Sequence, residues 1–180
     1  HFLRKGTRAV SFMHGGEQER GKRAGTVNVA GAVGMAKALE LACADRDEVA
    51  TREQQLRDRL VQGIRHHIPL TILTGHPKNR LPGNASFCFD YIEGESLIMN
   101  LDLEGICAST GSTCSTGTLE PSHVLLAMQI PLELALGSVR FSLGRSNTPE
   151  EVEKVLGVLP KIVDRLRKVS PVYKKIVTSH

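Results

Sequence analysis

The stretch 138-SVRFSLGRSNTPEEVEKVL-156 places a strand directly before a helix start. In SVRFSL the apolar residues Val139, Phe141 and Leu143 alternate with Ser138, Arg140 and Ser142. A period of two sends the first set to one face of a strand and the second to the other. Asn147-Thr148-Pro149-Glu150-Glu151 then opens a helix: Thr148 is the N-cap, Pro149 takes the first helical position, and Glu151 completes a capping box. A half-buried strand feeding a capped helix needs a shared apolar layer, which points to an α/β fold.

Outward from this stretch the same alternation of element types continues. The helix is predicted to run to about Lys168, gathering Lys161, Arg165, Arg167 and Lys168 toward its C-terminal end, where the helix dipole favours cations. Upstream, 70-LTILTG-75 and 85-ASFCFDY-91 read as strands separated by the turn-rich HPKNRLPGN. Residues 94–102 read as a short helix, 104–109 as a strand, and SHVLLAM as a short helix placed by Pro121. Apolar positions at helical spacing predict helix over 28–41 and 47–64, joined as one long helix kinked near Ala44-Asp45. Before it, Gly15, Gly16, Gly21 and Gly25 mark a loop whose backbone can approach a ligand closely. HFLRKGTRAVSF at the start reads as strand, basic turn, strand, with no lead-in. The order β, loop, α, β, β, α, β, loop, α, β, α implies a mixed sheet, without internal repeats.

Composition narrows the function. Hydrophobic content of 41% and charged content of 23% are those of an ordinary globular chain. The net charge of +4 comes from basic residues scattered among acids, and 4% aromatics provide no stacking platform, which argues against nucleic acid. The four cysteines form no CxxC pair and the seven histidines keep no zinc-type spacing to them, so no metal site is expected. Cys43 and Cys88 read as small buried hydrophobes. No long apolar run and no signal peptide stand out, and a cytoplasmic, non-membrane setting is expected.

Three residues carry candidate chemistry. Cys114 stands in 107-CASTGSTCSTGTLEPSHVL-125, a Ser/Thr/Gly-rich loop that exposes a thiol. His123 is a possible neighbouring base, but reads better as an ordinary helix histidine. The phosphatase pattern Cys-x5-Arg fails because position 120 is Glu120, and no Gly-x4-Gly-Lys is present. Arg140 projects from the face opposite Val139 and Phe141, where a guanidinium suits bidentate capture of a carboxylate; a solvent arginine or a structural ion pair reads equally well. Thr26, in RAGT ahead of a helix, suits a phosphate, or plain N-capping.

HGGEQERGKRAGT, NASFCFDYIEGESLIMNL, STGSTCSTGTLEPSHVL and SVRFSLGR, in this order and spacing, resemble the C-terminal half of cysteine desulfurases of the NifS and IscS type. These are pyridoxal-phosphate enzymes of the class V aminotransferase family and fold type I. The resemblance spans nearly the whole chain. It implies that residues 1–27 end a large cofactor-binding domain and that 28–180 form a small C-terminal domain. It implies that Cys114 takes sulfur from L-cysteine as a persulfide, leaving L-alanine, that Arg140 holds the substrate carboxylate, and that Thr26 reaches the cofactor phosphate of the neighbouring subunit in a homodimer. Passage of sulfur to an acceptor scaffold protein for iron–sulfur cluster assembly follows from the same resemblance.

Two departures qualify it. Thr113 stands where the family commonly has Ala. The lysine that bonds the cofactor, the histidine stacked on its ring and the aspartate at its pyridine nitrogen belong upstream, and Lys5 falls after that lysine. The chain is therefore expected to anchor no cofactor and to be inactive without the missing N-terminal half. A non-catalytic sulfur carrier or docking fragment, using its basic C-terminal helix, is the alternative; a selenocysteine lyase or cysteine sulfinate desulfinase shares the fold.

Overall fold

The computed structural model describes residues 3–111 and 121–177, with side chains as far as Lys174. The chain forms two compact units, His1–Arg46 and Asp47–His180.

In the first unit the expected N-terminal strands do not form. Residues 3–12 hold a turn closed by the Thr7 N–H donating to the Arg4 carbonyl at 3.1 Å, and no strand. Val10 and Phe12 are each 96% exposed. An isolated pair of short strands has nothing to bury and is marginal in water. The glycine-rich loop follows with a single turn, α1 (Gln18–Gly21), and then α2 (Val29–Ala44). Asn28 caps α2, its side-chain oxygen accepting from the Gly31 N–H at 2.8 Å. No residue of α2 is buried, and Cys43, expected inside, is exposed.

In the second unit, α3 (Arg46–His67) is a separate helix from α2, because Asp45 leaves the helical region at φ −119° and ψ 13°. Leu56, Leu60 and Ile64 form its buried stripe, with Val49 half-buried at the margin. Three strands follow: β1 (Thr71–Leu73), β2 (Asn84–Phe89) and β3 (Ser138–Ser142). Their order is β1-β2-β3 and both pairings are antiparallel, so the sheet expected as mixed is antiparallel. Residues 104–109, read as a further strand, contribute only the isolated bridge Ser109–Arg140.

The helices are α4 (Gly94–Leu103), α5 (His123–Ala127), α6 (Leu132–Leu136), α7 (Pro149–Val169) and α8 (Pro171–Val177). The capping box at Thr148 is present in both directions: Thr148 N–H donates to Glu151 at 3.1 Å, and Glu151 N–H donates to the Thr148 hydroxyl at 3.4 Å.

The alternation read in β3 decides the packing. Ala85, Phe87 and Phe89 of β2, with Val139 and Phe141 of β3, meet the apolar stripes of α3, α4 and α7 in one core. Each buried Phe contributes roughly 1.5–3 kcal/mol by leaving water. On the other face Cys88, Leu125 and Ala135 form a smaller cluster. Gly83 and Gly137 hold the ends of the β2–β3 ladder. An added Cβ would lie 2.1 Å from the Leu143 carbonyl oxygen at the first and 2.0 Å from that of Phe89 at the second. The close approach allows Leu143 N–H to donate to Gly83 at 2.8 Å and Phe89 N–H to Gly137 at 2.9 Å.

Candidate active site

Arg140 occupies the middle of β3 with its backbone turned away from β2. Its N–H donates to the Ser109 carbonyl at 2.6 Å, and its carbonyl accepts from the Ser109 N–H at 3.1 Å. Those groups cannot also serve β2, so the registered pair Ser86–Arg140 is a non-hydrogen-bonded one. In such a pair the Cα atoms approach to about 4.5 Å and the side chains stand close together on one face. Ser86 is consistent with this, since its carbonyl accepts from the Thr74 N–H at 2.8 Å on the β1 side.

The face that Arg140 shares is polar. The Thr74 hydroxyl, buried at 6% exposure, lies 2.8 Å from the Ser86 hydroxyl and 3.1 Å from the Ser86 carbonyl oxygen. With Asn84, Leu125 and Met128, these three residues line a recess of about 270 Å3. Ser138, buried two residues before Arg140 in β3, donates to the Thr110 carbonyl at 2.9 Å and pins the chain that passes beside Arg140. Among the described residues the Arg140 guanidinium makes no hydrogen bond, and no ion pair of Arg140 is found among them. A half-buried planar cation without a partner among the described residues, beside two hydroxyls in a recess whose wall is otherwise largely apolar, suits an anion such as a carboxylate.

Thr26 belongs to the first unit. It is not the N-cap of α2, since Asn28 holds that position. Its hydroxyl is exposed and makes no hydrogen bond among the described residues. Arg23 folds over the same turn, donating to the carbonyls of Gly25 at 3.3 Å and Thr26 at 3.1 Å. Gly25, at φ +92°, allows the bend. An exposed hydroxyl on a turn that an arginine spans suits a phosphate oxygen.

Cys114 and Thr113 lie outside the described residues. His123 is the exposed first residue of α5. Among the described residues no three His, Cys, Asp or Glu side chains converge as a metal ion requires, and no helix is long and apolar enough to cross a membrane. The cations expected to form a basic docking surface at the end of α7 are largely engaged within the chain. Arg167 is buried, donating to the carbonyls of Asp90 at 3.1 Å and Leu70 at 2.9 Å, and burial lowers its pKa. Arg165 donates to Asn100 at 2.5 Å, and Lys168 pairs with Asp164 at 2.7 Å.

Sequence reasoning did not single out Thr74 or Ser86. Their one legible signal was the period-two alternation of ASFCF, which puts Ser86 on a non-core face; which residue faces it across the sheet is set by tertiary pairing.

Known proteins bear on this arrangement. The chain is 49% identical over 174 residues to a cysteine desulfurase IscS of Dictyoglomus turgidum, covering 97% of this chain and 44% of that protein. It is 52% identical to the IscS of Methanosarcina thermophila, over 97% of this chain and 43% of the relative. Against the cysteine desulfurase NifS of Azotobacter vinelandii the figures are 48%, 94% and 42%. A solved NifS-like protein superposes with a TM-score of 0.79 at 35% identity, over 92% of this chain and 42% of its own. DndA from Streptomyces lividans superposes with a TM-score of 0.56 at 32% identity, over 75% and 37%. The chain thus spans less than half the length of each of these relatives. The fold is that of part of a NifS-like enzyme of fold type I. The aminotransferase class-V profile matches residues 5–155, and the chain belongs to that family.

Proposed function

We propose that this chain is the C-terminal portion of a pyridoxal-phosphate-dependent cysteine desulfurase, residues 1–27 closing a large domain and 28–180 forming a small one. The observation that supports the reading is the Arg140 guanidinium, without a partner among the described residues, in a recess it shares with the Thr74 and Ser86 hydroxyls, in a chain about half identical to cysteine desulfurases. The family's cofactor, when bound, supplies the electron sink for cleaving the substrate's carbon–sulfur bond.

The chain's own residues do the rest. Arg140 forks the carboxylate of L-cysteine and fixes its orientation. Cys114, as thiolate, forms a bond to the substrate sulfur while the Cβ–S bond breaks; the carbon fragment takes up a proton and leaves as L-alanine, and the sulfur stays on Cys114 as a persulfide. That persulfide then passes to an acceptor protein for iron–sulfur cluster assembly. Thr26, with Arg23 beside it, would hold the cofactor phosphate of a neighbouring subunit, which makes a homodimer part of the site. The setting is cytoplasmic. Without the lysine that bonds the cofactor, the chain alone is inactive.

The test is to assemble the chain with the missing N-terminal half, pyridoxal phosphate and L-cysteine, and measure alanine and sulfide under reducing conditions. Both products are expected, with the rate abolished in Cys114→Ser. Absence of alanine, or an undiminished rate in Cys114→Ser, overturns the proposal.

A further inference from the structure

The Thr74–Ser86 hydroxyl pair has a feature that packing does not require. Thr74 carries one hydroxyl proton but has two acceptors in reach, the Ser86 carbonyl at 3.1 Å and the Ser86 hydroxyl at 2.8 Å. The Ser86 carbonyl is already served by the Thr74 N–H at 2.8 Å. The Thr74 proton is therefore free to turn onto the Ser86 hydroxyl, and a hydroxyl that accepts there keeps its own proton to give elsewhere. Ser86 faces Arg140 directly, in a non-hydrogen-bonded pair whose side chains stand close together, and both line the same recess.

We infer that Ser86, held by Thr74, is a further substrate-positioning residue: its hydroxyl donates to the same carboxylate that the Arg140 fork grips. The inference deepens the proposed function and rests on its assignment of Arg140. The chemistry is complementary, because a guanidinium fork engages a carboxylate in one plane and leaves lone pairs for a donor at its side. Thr74, buried and bonded to Ser86, sets which way the Ser86 proton points. The core-face neighbours Ala85 and Phe87 hold β2 in place, so the hydroxyl is presented from a rigid element.

The test uses the holoenzyme assembled as above, with L-cysteine as substrate and the product L-alanine as a carboxylate probe. A hydrogen bond to a charged group is worth enough that Ser86→Ala is expected to raise KM about tenfold, falling on KM more than on kcat, and to weaken inhibition by L-alanine in proportion. Ser86→Thr, which restores the hydroxyl, should recover most of the loss. Thr74→Val, which removes only the orienting partner, should raise KM about threefold. Unchanged KM and alanine inhibition in Ser86→Ala, while Arg140→Lys raises KM, overturn the inference and leave the Arg140 assignment standing. If neither variant moves KM, the Arg140 assignment falls and this inference with it. A fall in kcat that Ser86→Thr does not rescue marks a purely structural serine and also overturns it.

Discussion

The two faces of the three-stranded sheet come from one alternation and have opposite fates. On the core face Phe87, Phe89, Val139 and Phe141 close against α3, α4 and α7 and are at most 4% exposed. On the other face Thr74, Ser86 and Arg140 line an open recess, and the Arg140 charge finds no partner among the described residues. Burial is satisfied locally on one side and left unsatisfied on the other. An unsatisfied group on a rigid strand is the arrangement that binding sites require, because the energy of meeting it remains available to a ligand. If the proposed function holds, stability and recognition fall to alternate residues of the same strands, and substitutions should separate them.

The largest effect is expected on the core face. Phe87→Ala removes a fully buried ring and should cost about 3–5 kcal/mol, read from urea unfolding. A loss under 1 kcal/mol would mean that the apolar side is not the stabilising one. Next is Cys88, which lies on the recess side but at the end where Leu125 and Ala135 cover it. Burial pushes its thiol up to about 11 from an ordinary 9.0. A raised value means that the contribution is fully present below pH 9 and is lost as pH climbs toward 11. Unfolding curves between those limits should show about 2 kcal/mol of alkaline destabilisation that Cys88→Ala lacks. Equal slopes in the two proteins would break the assignment.

A smaller effect belongs to the cap of α7. Thr148→Ala should cost about 1 kcal/mol at neutral pH. The Asn147 amide and then the Thr148 N–H hold the Glu151 carboxyl below its usual range. A depressed value means that its contribution is present above the ordinary carboxylate pKa and lost as pH falls through the folded one. Melts should therefore lose this contribution at acid pH in the parent and in Thr148→Ala, but not in Glu151→Gln; equal acid losses in all three would remove the carboxylate from the cap. The smallest change in stability is expected at Arg140→Lys, within about 0.5 kcal/mol, because no described contact is lost. The same variant should raise KM about tenfold in the assembled enzyme, since a point ammonium cannot reproduce a planar fork. A large loss of stability there would erase the distinction between the faces.

What the sequence made legible was periodicity and chemistry at short range. The alternation in SVRFSL, the capping box at Thr148 and the stripe of α3 all depend on neighbours within a few residues, and all appear in the fold. What escaped depends on distant pairing. Residues 104–109 have strand-like composition, yet Ser109 alone joins the sheet. Val10 and Phe12 have strand-like neighbours but no partner strand. The one-turn helix α6 after Pro131, and α8, which opens on Pro171, are too short for a 3.6-residue period to declare itself. Thr26 and Asn28 both suit a cap, and two residues of difference decide which one remains free. Arg140 was visible as a cation on the face away from the core; Ser86 and Thr74 were not singled out, because only the pairing sets Ser86 opposite Arg140 and Thr74 against Ser86.

The reciprocal hydrogen bonds between the peptides of Ser109 and Arg140 have a mechanical corollary. Ser109 is bonded in both directions to the residue that carries the guanidinium, so the backbone at the two positions is fixed as one frame. A tilt of β3 that re-aimed the guanidinium would carry Ser109 with it, so the strand and the start of the chain beyond Ser109 move as one piece.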